Sequence, residues 1–150
     1  MYSKEESKLL RKEFWNTFGR ISKARRKSPW LLYNTKIKDV SLKFEANREF
    51  CAVAIDIELR NEIKRHKFFD SFLGLKTIFD SEFKEELFWD KDYVLENHKV
   101  ISRISYKLEN VNVYRKEDWP EMFKFLFKNM KIMEYNFLEH QEIIRDFIPD

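Results

Sequence analysis

Hydrophobic residues recur at helical spacing through the last third of the chain. Between residues 118 and 148 an apolar side chain returns every three or four positions, which is the period of one helix face. The stripe consists of Phe123, Leu126, Phe127, Met130, Met133, Phe137, Ile144, Phe147 and Ile148. Residues 118–121 contain a first-turn proline typical of helix starts, and Pro149 would end the helix. We predict one helix of about 30 residues, roughly 45 Å long, which must overhang or bend.

Two earlier segments are also predicted to be helices. Ser3 and Glu6 form a capping box, and the helix after them is predicted over 4–19, closed by Gly19. Its apolar face consists of Leu10, Phe14 and Phe18, with Ile21 added if the helix continues beyond Gly19. A second helix is predicted from Asn61 to about residue 83. Its buried stripe consists of Phe68, Phe72, Leu75 and Phe79.

Apolar and polar residues alternate in the remaining segments, which favours strands with one wet face. Strands are predicted over 30–37, 40–45, 50–59, 87–95 and 100–113. Hairpin loops at 46–49 and 96–98 would make their neighbours antiparallel. The predicted order is α-β-β-β-α-β-β-α. We expect a single α+β domain over residues 1–150, with an antiparallel sheet of about five strands, three helices and the long C-terminal helix packed on the sheet.

The composition indicates a chain that combines many apolar aromatic side chains with many charged ones. Of the 150 residues, 17% are aromatic and 37% are charged, so the chain can bury a core and fold on its own. The lone Cys51 excludes an intramolecular disulfide and fits a reducing compartment. Charged residues interrupt the N-terminus before any signal peptide develops, and the apolar run 50–55 is too short to span a bilayer. We expect a soluble, cytoplasmic protein with no membrane partner.

Several features together carry a resemblance that covers nearly the whole chain. They are the Phe14-Trp15 pair, Trp30, the hydrophobic strand 52–59 and the helix start 118–121. In these features the chain resembles a bacterial family known only as a domain of unknown function. Members occur alone or as the C-terminal part of proteins whose N-terminal part resembles a nuclease, so the resemblance implies an association with DNA metabolism or defence. The family brings no established catalytic residues.

Positive charge is concentrated at the N-terminal end. The formal net charge is +3, but residues 1–30 carry nine Lys and Arg against three Glu, and residues 31–150 sum to −3. The predicted surface combines one helix face with the connector after it: Lys4, Lys8, Arg11 and Lys12, then Arg20, Lys23, Arg25, Arg26 and Lys27. These cations are candidates to follow a phosphate backbone. Trp15 is placed to stack on an exposed base or, alternatively, turns inward with Phe14 and Phe18.

Two carboxylates form the second candidate site. Asp56 and Glu58 are two apart on a predicted strand and share a face, with Lys43 beside them on the paired strand. A magnesium-dependent nuclease holds its metal with such a set. The alternative is a solvated sheet face with a cross-strand ion pair. Arg60 stands where a nuclease motif would have lysine, which counts against catalysis.

Other catalytic and metal-binding patterns are absent from the sequence. His66, His98 and His140 lie on three predicted elements with no paired spacing. With Gly19 and Gly74 as its only glycines, the chain holds no Gly-rich phosphate loop and no glycine-flanked nucleophile. The Phe-rich stripes are typical of core rather than of a lipid pocket. We therefore expect no catalytic residues, no metal and no cofactor.

These observations favour one function and leave two alternatives. The favoured hypothesis is a non-enzymatic recognition module that contacts nucleic acid, or a nuclease-type protein, through the basic N-terminal surface. The first alternative is a degenerate metal-dependent nuclease that uses Asp56 and Glu58. The second is a dimerising scaffold, in which an overhang of the last helix pairs with another copy.

Overall fold

The computed structural model describes residues 2–150, in which a four-stranded antiparallel sheet has helices packed on one face. The α+β class and the antiparallel sheet are confirmed, whereas the predicted number of strands and helices is wrong. The elements in chain order are α1 Lys4–Arg25, β1 Val40–Ala46, β2 Phe50–Ile57, α2 Glu62–Phe72, α3 Lys76–Ser81, β3 Phe88–Val94, β4 Val100–Glu109, α4 Trp119–Glu139 and α5 Gln141–Asp146. Short 3₁₀ turns, Leu73–Leu75 and Lys116–Asp118, precede α3 and α4.

The sheet has the strand order β1-β2-β4-β3, with every neighbouring pair antiparallel. Its two faces follow the alternation of the sequence, because successive side chains of a strand point to opposite sides. The apolar face, which packs into the main core, carries Leu42, Phe44, Cys51, Val53, Ile55, Ile57, Ile104, Tyr106 and Leu108. The other face is polar and includes Asp56, which lies opposite Ser41 on β1 and Arg103 on β4.

The long helix α4 lies across β2 on the apolar face. Its fully buried residues are Met122, Leu126, Met130, Met133 and Phe137, so most of the predicted stripe is confirmed and Met122 is added to it. Helix α1 packs beside α4 through Phe14, whose ring centroid is 4.8 Å from that of Phe123 and 5.3 Å from that of Trp119. The core therefore lies between the apolar sheet face and the helices, including α2 and α3. We call the rings that meet where α1 packs beside α4 the aromatic layer; they are Phe14, Phe18, Phe44, Trp119 and Phe123.

The predicted strand 30–37 is wrong. This segment is a series of turns, and Leu32 and Lys36 have positive φ angles of 44° and 63°, outside the range of a regular strand. The buried Thr35 supplies hydrogen-bond partners for the backbone of this segment. Its hydroxyl donates to Val40 O at 2.7 Å and accepts from Ile37 N–H at 3.1 Å. The segment covers the outer edge of β1, where Leu42 N–H donates to Leu32 O at 3.0 Å.

The predicted helix over 118–148 is broken at His140, which has φ −114° and ψ 13°. The break redirects the chain so that Ile144 becomes fully buried and Phe147 reaches the ring of Phe68, with centroids 6.1 Å apart. Packing of Phe147 against the α2 rings and burial of Ile144 in the core outweigh the continuation of the helix. The expected bend therefore occurs, as a break between α4 and α5.

Two other predicted boundaries also change. The helix predicted over 61–83 keeps its start, where the Asn61 side chain accepts from Lys64 N–H at 3.0 Å, but it is interrupted by the turn Leu73–Leu75. Gly74 lies in this turn, and glycine is a weak helix former. The strand predicted over 100–113 ends at Glu109, because Asn110 turns the chain with a φ of 62°.

Candidate nucleic-acid interface

Helix α1 carries most of the predicted basic residues and is longer than predicted. Its start is the expected capping box, in which Glu6 N–H donates to Ser3 Oγ at 3.1 Å and Ser3 N–H donates to Glu6 Oε1 at 3.3 Å. The helix does not end at Gly19 but continues to Arg25 and is closed when Arg26 N–H donates to Ser22 O at 2.9 Å. The predicted connector 20–27 is therefore wrong, and most of its cations are helical.

Eight cations of this segment are exposed, and we call them the α1 basic surface. They are Lys4, Lys8, Arg11, Lys12, Arg20, Lys23, Arg25 and Lys27. Among residues 2–150, none of the eight has an acidic side chain within 4.0 Å. Lys8, Lys12 and Lys23 share one side of the helix, and Lys8 and Lys23 are about 22 Å apart along its axis at 1.5 Å per residue. Within residues 2–150 these charges thus lie along the helix without forming ion pairs.

The ninth predicted cation, Arg26, has a structural position instead. Its Nη2 donates to Glu134 Oε1 at 2.7 Å, and its Cζ lies 3.6 Å from the ring centroid of Trp30. Glu134 also accepts from Leu31 N–H at 2.6 Å. Arg26 therefore ties the end of α1 to α4, and we separate it from the α1 basic surface. The sequence contains no local signal for this contact, since Glu134 is far away along the chain.

Trp15, predicted beside the cations, points toward the aromatic layer. Its ring centroid is 4.9 Å from that of Phe14, 6.1 Å from that of Phe18 and 6.2 Å from that of Phe44. The indole is half-buried in this layer. The ring therefore has the position described by the packing alternative.

Helix α4 adds two lysines that the sequence analysis missed. Lys124 and Lys128 are exposed, and neither has an acidic partner within 4.0 Å in the part of the chain that the structure describes. With Arg25 of α1 they border a cleft of about 450 Å³ whose lining includes Ile21 and Phe123. Their i, i+4 spacing on the exposed side of a predicted helix was the available signal. They extend the positive region from α1 onto α4.

Asp56 and Glu58, the second candidate site, form ion pairs with cations of the sheet. Asp56 is fully buried, and its two carboxylate oxygens accept from Arg103 Nε at 2.7 Å and Nη2 at 2.9 Å. Arg103 Nη1 also donates to Glu45 Oε1 at 2.5 Å. Lys43 Nζ lies 3.7 Å from Asp56 Oδ2 and 3.4 Å from Glu58 Oε2. The predicted cross-strand ion pair with Lys43 is present and partly exposed, whereas Asp56 itself is buried and has Arg103 as its main cation.

The protonation behaviour of this cluster follows from its geometry. Burial alone lowers the pKa of the Arg103 guanidinium, but the hydrogen bonds and charges of Asp56 and Glu45 outweigh it and hold the pKa above its usual value. Burial likewise raises the pKa of Glu58, yet Lys99, at 3.0 Å, and Lys43 leave it below its usual value. Both groups are therefore held in their charged forms, as partners in ion pairs.

One histidine meets two carboxylates where α2 lies beside the edge strand β3. His66 Nε2 lies 2.8 Å from Asp92 Oδ1 and 4.0 Å from Glu62 Oε1. Within residues 2–150 this is the one group of three His, Cys, Asp or Glu side chains whose potential metal-ligand atoms all lie within 4.8 Å of one another. The His66 hydrogen bond, together with Arg65, holds the pKa of Asp92 below its usual value. Because the Arg65 guanidinium also bonds this carboxylate, the group is an ion-pair cluster around Asp92.

Two further expectations from the sequence concern the single cysteine and membrane-spanning segments. Cys51 is a free, buried thiol on the apolar sheet face. Burial, with a smaller contribution from Glu121, raises its pKa to about 12, so it remains protonated and unreactive at neutral pH. Within residues 2–150 no helix has both the length and the apolar composition needed to cross a membrane.

Comparison with known proteins gives a family but no characterised relative. No curated protein and no solved structure matches this chain. Residues 10–141 match a family described as a domain of unknown function, DUF4268. The match begins in α1, includes the whole sheet and ends at the start of α5. It therefore spans most of the elements that build the core, and the chain belongs to the DUF4268 family.

Proposed function

We propose that this protein is a non-enzymatic module that binds nucleic acid through the phosphate backbone. The observation that carries the proposal is the α1 basic surface, whose eight exposed cations have no acidic partner within 4.0 Å among residues 2–150. Unpaired surface cations keep their counterions, and a phosphate backbone that displaces those ions gains binding free energy. The surface is thus suited to a long polyanion.

The arrangement of the cations supports an extended ligand rather than a small anion. The α1 basic surface spreads along a helix of 22 residues, which is about 33 Å long at 1.5 Å per residue. Lys124 and Lys128 continue it across the cleft that α1 forms with α4. A small anion would neutralise one or two of these charges, whereas a polynucleotide strand would reach many of them.

The alternative of a metal-dependent nuclease receives less support from the geometry. A metal ion needs carboxylate oxygens that it can reach, and the Asp56 carboxylate has no exposed area and accepts two hydrogen bonds from Arg103. Metal binding would require the buried ion pair to be broken. The recognition module is therefore the function that we favour, with nucleic acid as the proposed partner.

Fluorescence anisotropy with a labelled duplex and a labelled single strand tests the proposal. Between about 50 mM and about 200 mM salt we expect the affinity of the wild-type protein to fall at least tenfold. The triple variant Lys8→Gln, Lys12→Gln, Lys23→Gln should bind about tenfold more weakly at low salt, because it loses three phosphate contacts.

A matched control distinguishes the contribution of this surface to binding from the effect of net charge alone. The triple variant Lys64→Gln, Lys67→Gln, Lys84→Gln removes the same charge from exposed positions around α2 and α3. It should retain wild-type affinity. The proposal fails if the wild-type protein shows no salt-sensitive binding at low salt, or if the two triple variants lose affinity equally.

A further inference from the structure

Gly19 lies inside α1, where glycine is costly. A glycine in a helix interior destabilises it by about 1 kcal/mol relative to alanine. The φ angle of Gly19 is not positive, so the backbone does not require glycine. A Cβ atom built at this position meets no heavy atom within 4 Å, so neighbouring side chains do not require it either. What the glycine provides is open space on the surface of the helix.

This space belongs to a pocket at the end of the α1 basic surface, which we call the Gly19 pocket. It has a volume of about 500 Å³, and its mostly apolar lining includes Trp30, Pro29 and Leu32. Lys23 and Lys27 also line it, and both are exposed members of the α1 basic surface. Pockets of roughly 300–1,000 Å³ are typical of small-molecule sites. The Gly19 pocket is large enough for one nucleobase with its sugar.

Trp30 forms a fixed wall of this pocket. Its Nε1–H donates to Ser22 Oγ at 2.9 Å, and the Arg26 guanidinium lies over its ring. The rings of Phe44 and Phe127 meet it edge-on, with centroids 5.5 Å and 5.3 Å away. A side chain held by four neighbours does not need to reorganise when a ligand arrives, which reduces the cost of binding.

We propose that the Gly19 pocket receives one unpaired nucleobase of a single-stranded nucleic acid, while Lys23 and Lys27 hold the adjoining phosphates. This inference rests on the proposed function and deepens it, because it names a single strand rather than a continuous duplex as the preferred ligand. An apolar, aromatic cavity beside cations matches a base and its phosphate. The bases of a duplex are stacked and paired, so they reach such a pocket only after costly unstacking.

The substitution Gly19→Leu tests the proposal without weakening the fold. Leucine is a good helix former, and its side chain enters the space above α1. We expect the thermal unfolding midpoint to remain or to rise, the affinity for a labelled single strand to fall about tenfold, and the affinity for a blunt duplex to stay unchanged. Ala24→Leu, on an exposed position of α1 outside the pocket, is the matched control and should leave all three values near wild type.

The outcomes distinguish this proposal from the proposed function. Undiminished affinity of Gly19→Leu for the single strand, or an equal loss for strand and duplex, would overturn the Gly19 pocket as a base site. Absence of salt-sensitive binding by the wild-type protein would overturn the proposed function itself.

Discussion

The polar face of the sheet and the surface of α1 use similar side chains in opposite ways. On the sheet, Arg103 is 5% exposed and bonds the fully buried Asp56, and Lys43 and Lys99 lie within 3.4 Å of Glu58. On the α1 basic surface, which is α1 together with Lys27 just after it, eight cations are exposed with no acid within 4.0 Å among residues 2–150. A buried charge needs a partner inside the protein, whereas an exposed charge without a partner can attract a ligand of opposite charge. The difference separates cations that hold the fold from cations available for binding.

The largest effect should come from breaking the buried pair. Arg103→Ala leaves Asp56 without its main partner, and we expect the free energy of unfolding to fall by about 3 kcal/mol in a urea titration. Lys107→Ala is the control on the same strand, since Lys107 contacts the rings of Phe50 and Phe88 and should cost less than about 1 kcal/mol. Equal losses in the two variants would contradict a structural role for the Arg103 pair.

The anchor at the end of α1 should have the next largest effect. Glu134→Ala removes the acceptor of Arg26 and Leu31, and we expect a loss of about 2 kcal/mol in the free energy of unfolding. Because the same contacts hold the end of α1, binding of a labelled single strand should also weaken. Glu139→Ala, on an exposed position of α4, is the control. Unchanged stability of Glu134→Ala would show that this anchor does not hold α1.

Asp80 should give the fold a defined dependence on acid. Burial raises the pKa of Asp80, but Lys76, Trp89 Nε1–H at 2.9 Å and Leu87 N–H at 3.2 Å outweigh it and leave it below its usual value. The unfolded chain therefore takes up this proton first, near pH 4, so the stabilisation is complete above that pH and is lost as the pH falls through the folded pKa.

The variant Asp80→Asn measures this contribution. Its free energy of unfolding should be about 1 kcal/mol lower at pH 7 and should decline less steeply than that of the wild-type protein below about pH 4. The exposed Asp146→Asn on α5, where no cation lies within 4.0 Å among residues 2–150, is the control and should keep the wild-type free energy of unfolding at pH 7. Parallel profiles for the wild-type protein and Asp80→Asn would contradict this role.

The smallest effect on stability is expected at the α1 basic surface. The triple variant Lys8→Gln, Lys12→Gln, Lys23→Gln removes exposed side chains that have no acidic partner within 4.0 Å among residues 2–150, so the free energy of unfolding should change by less than about 0.5 kcal/mol. Chemical denaturation measures this value directly. A loss as large as that of Glu134→Ala would mean that these lysines serve the fold instead of a ligand.

Elements with strong periodicity could be predicted from the sequence, because their local pattern and their final packing agree. The alternation of Val53, Ile55 and Ile57 fixed one face of β2, and the spacing of Leu126, Met130 and Met133 fixed the buried side of α4. The capping box at Ser3 set the start of α1. Each of these signals is complete within a few residues of chain.

The missed features depend on partners that are distant in sequence. Arg26 was predicted as a free cation because its acceptor, Glu134, lies on the last long helix. Arg103 meets Asp56 only through the register of β4 against β2, which alternation alone does not specify. The segment around Thr35 was predicted as a strand because threonine is common in strands. The sequence does not show that the hydroxyl of this threonine bonds the backbone of a turn instead.

The slope of binding affinity against salt concentration tests most directly whether the unpaired cations bind a phosphate backbone. For the wild-type protein, the logarithm of the association constant should fall linearly with the logarithm of the salt concentration. In the triple variant Lys8→Gln, Lys12→Gln, Lys23→Gln this slope should be smaller by about two to three, because each lost phosphate contact contributes about 0.7 to 0.9. The control Lys64→Gln, Lys67→Gln, Lys84→Gln should keep the wild-type slope. Three parallel lines would contradict the assignment of these lysines to the nucleic-acid interface.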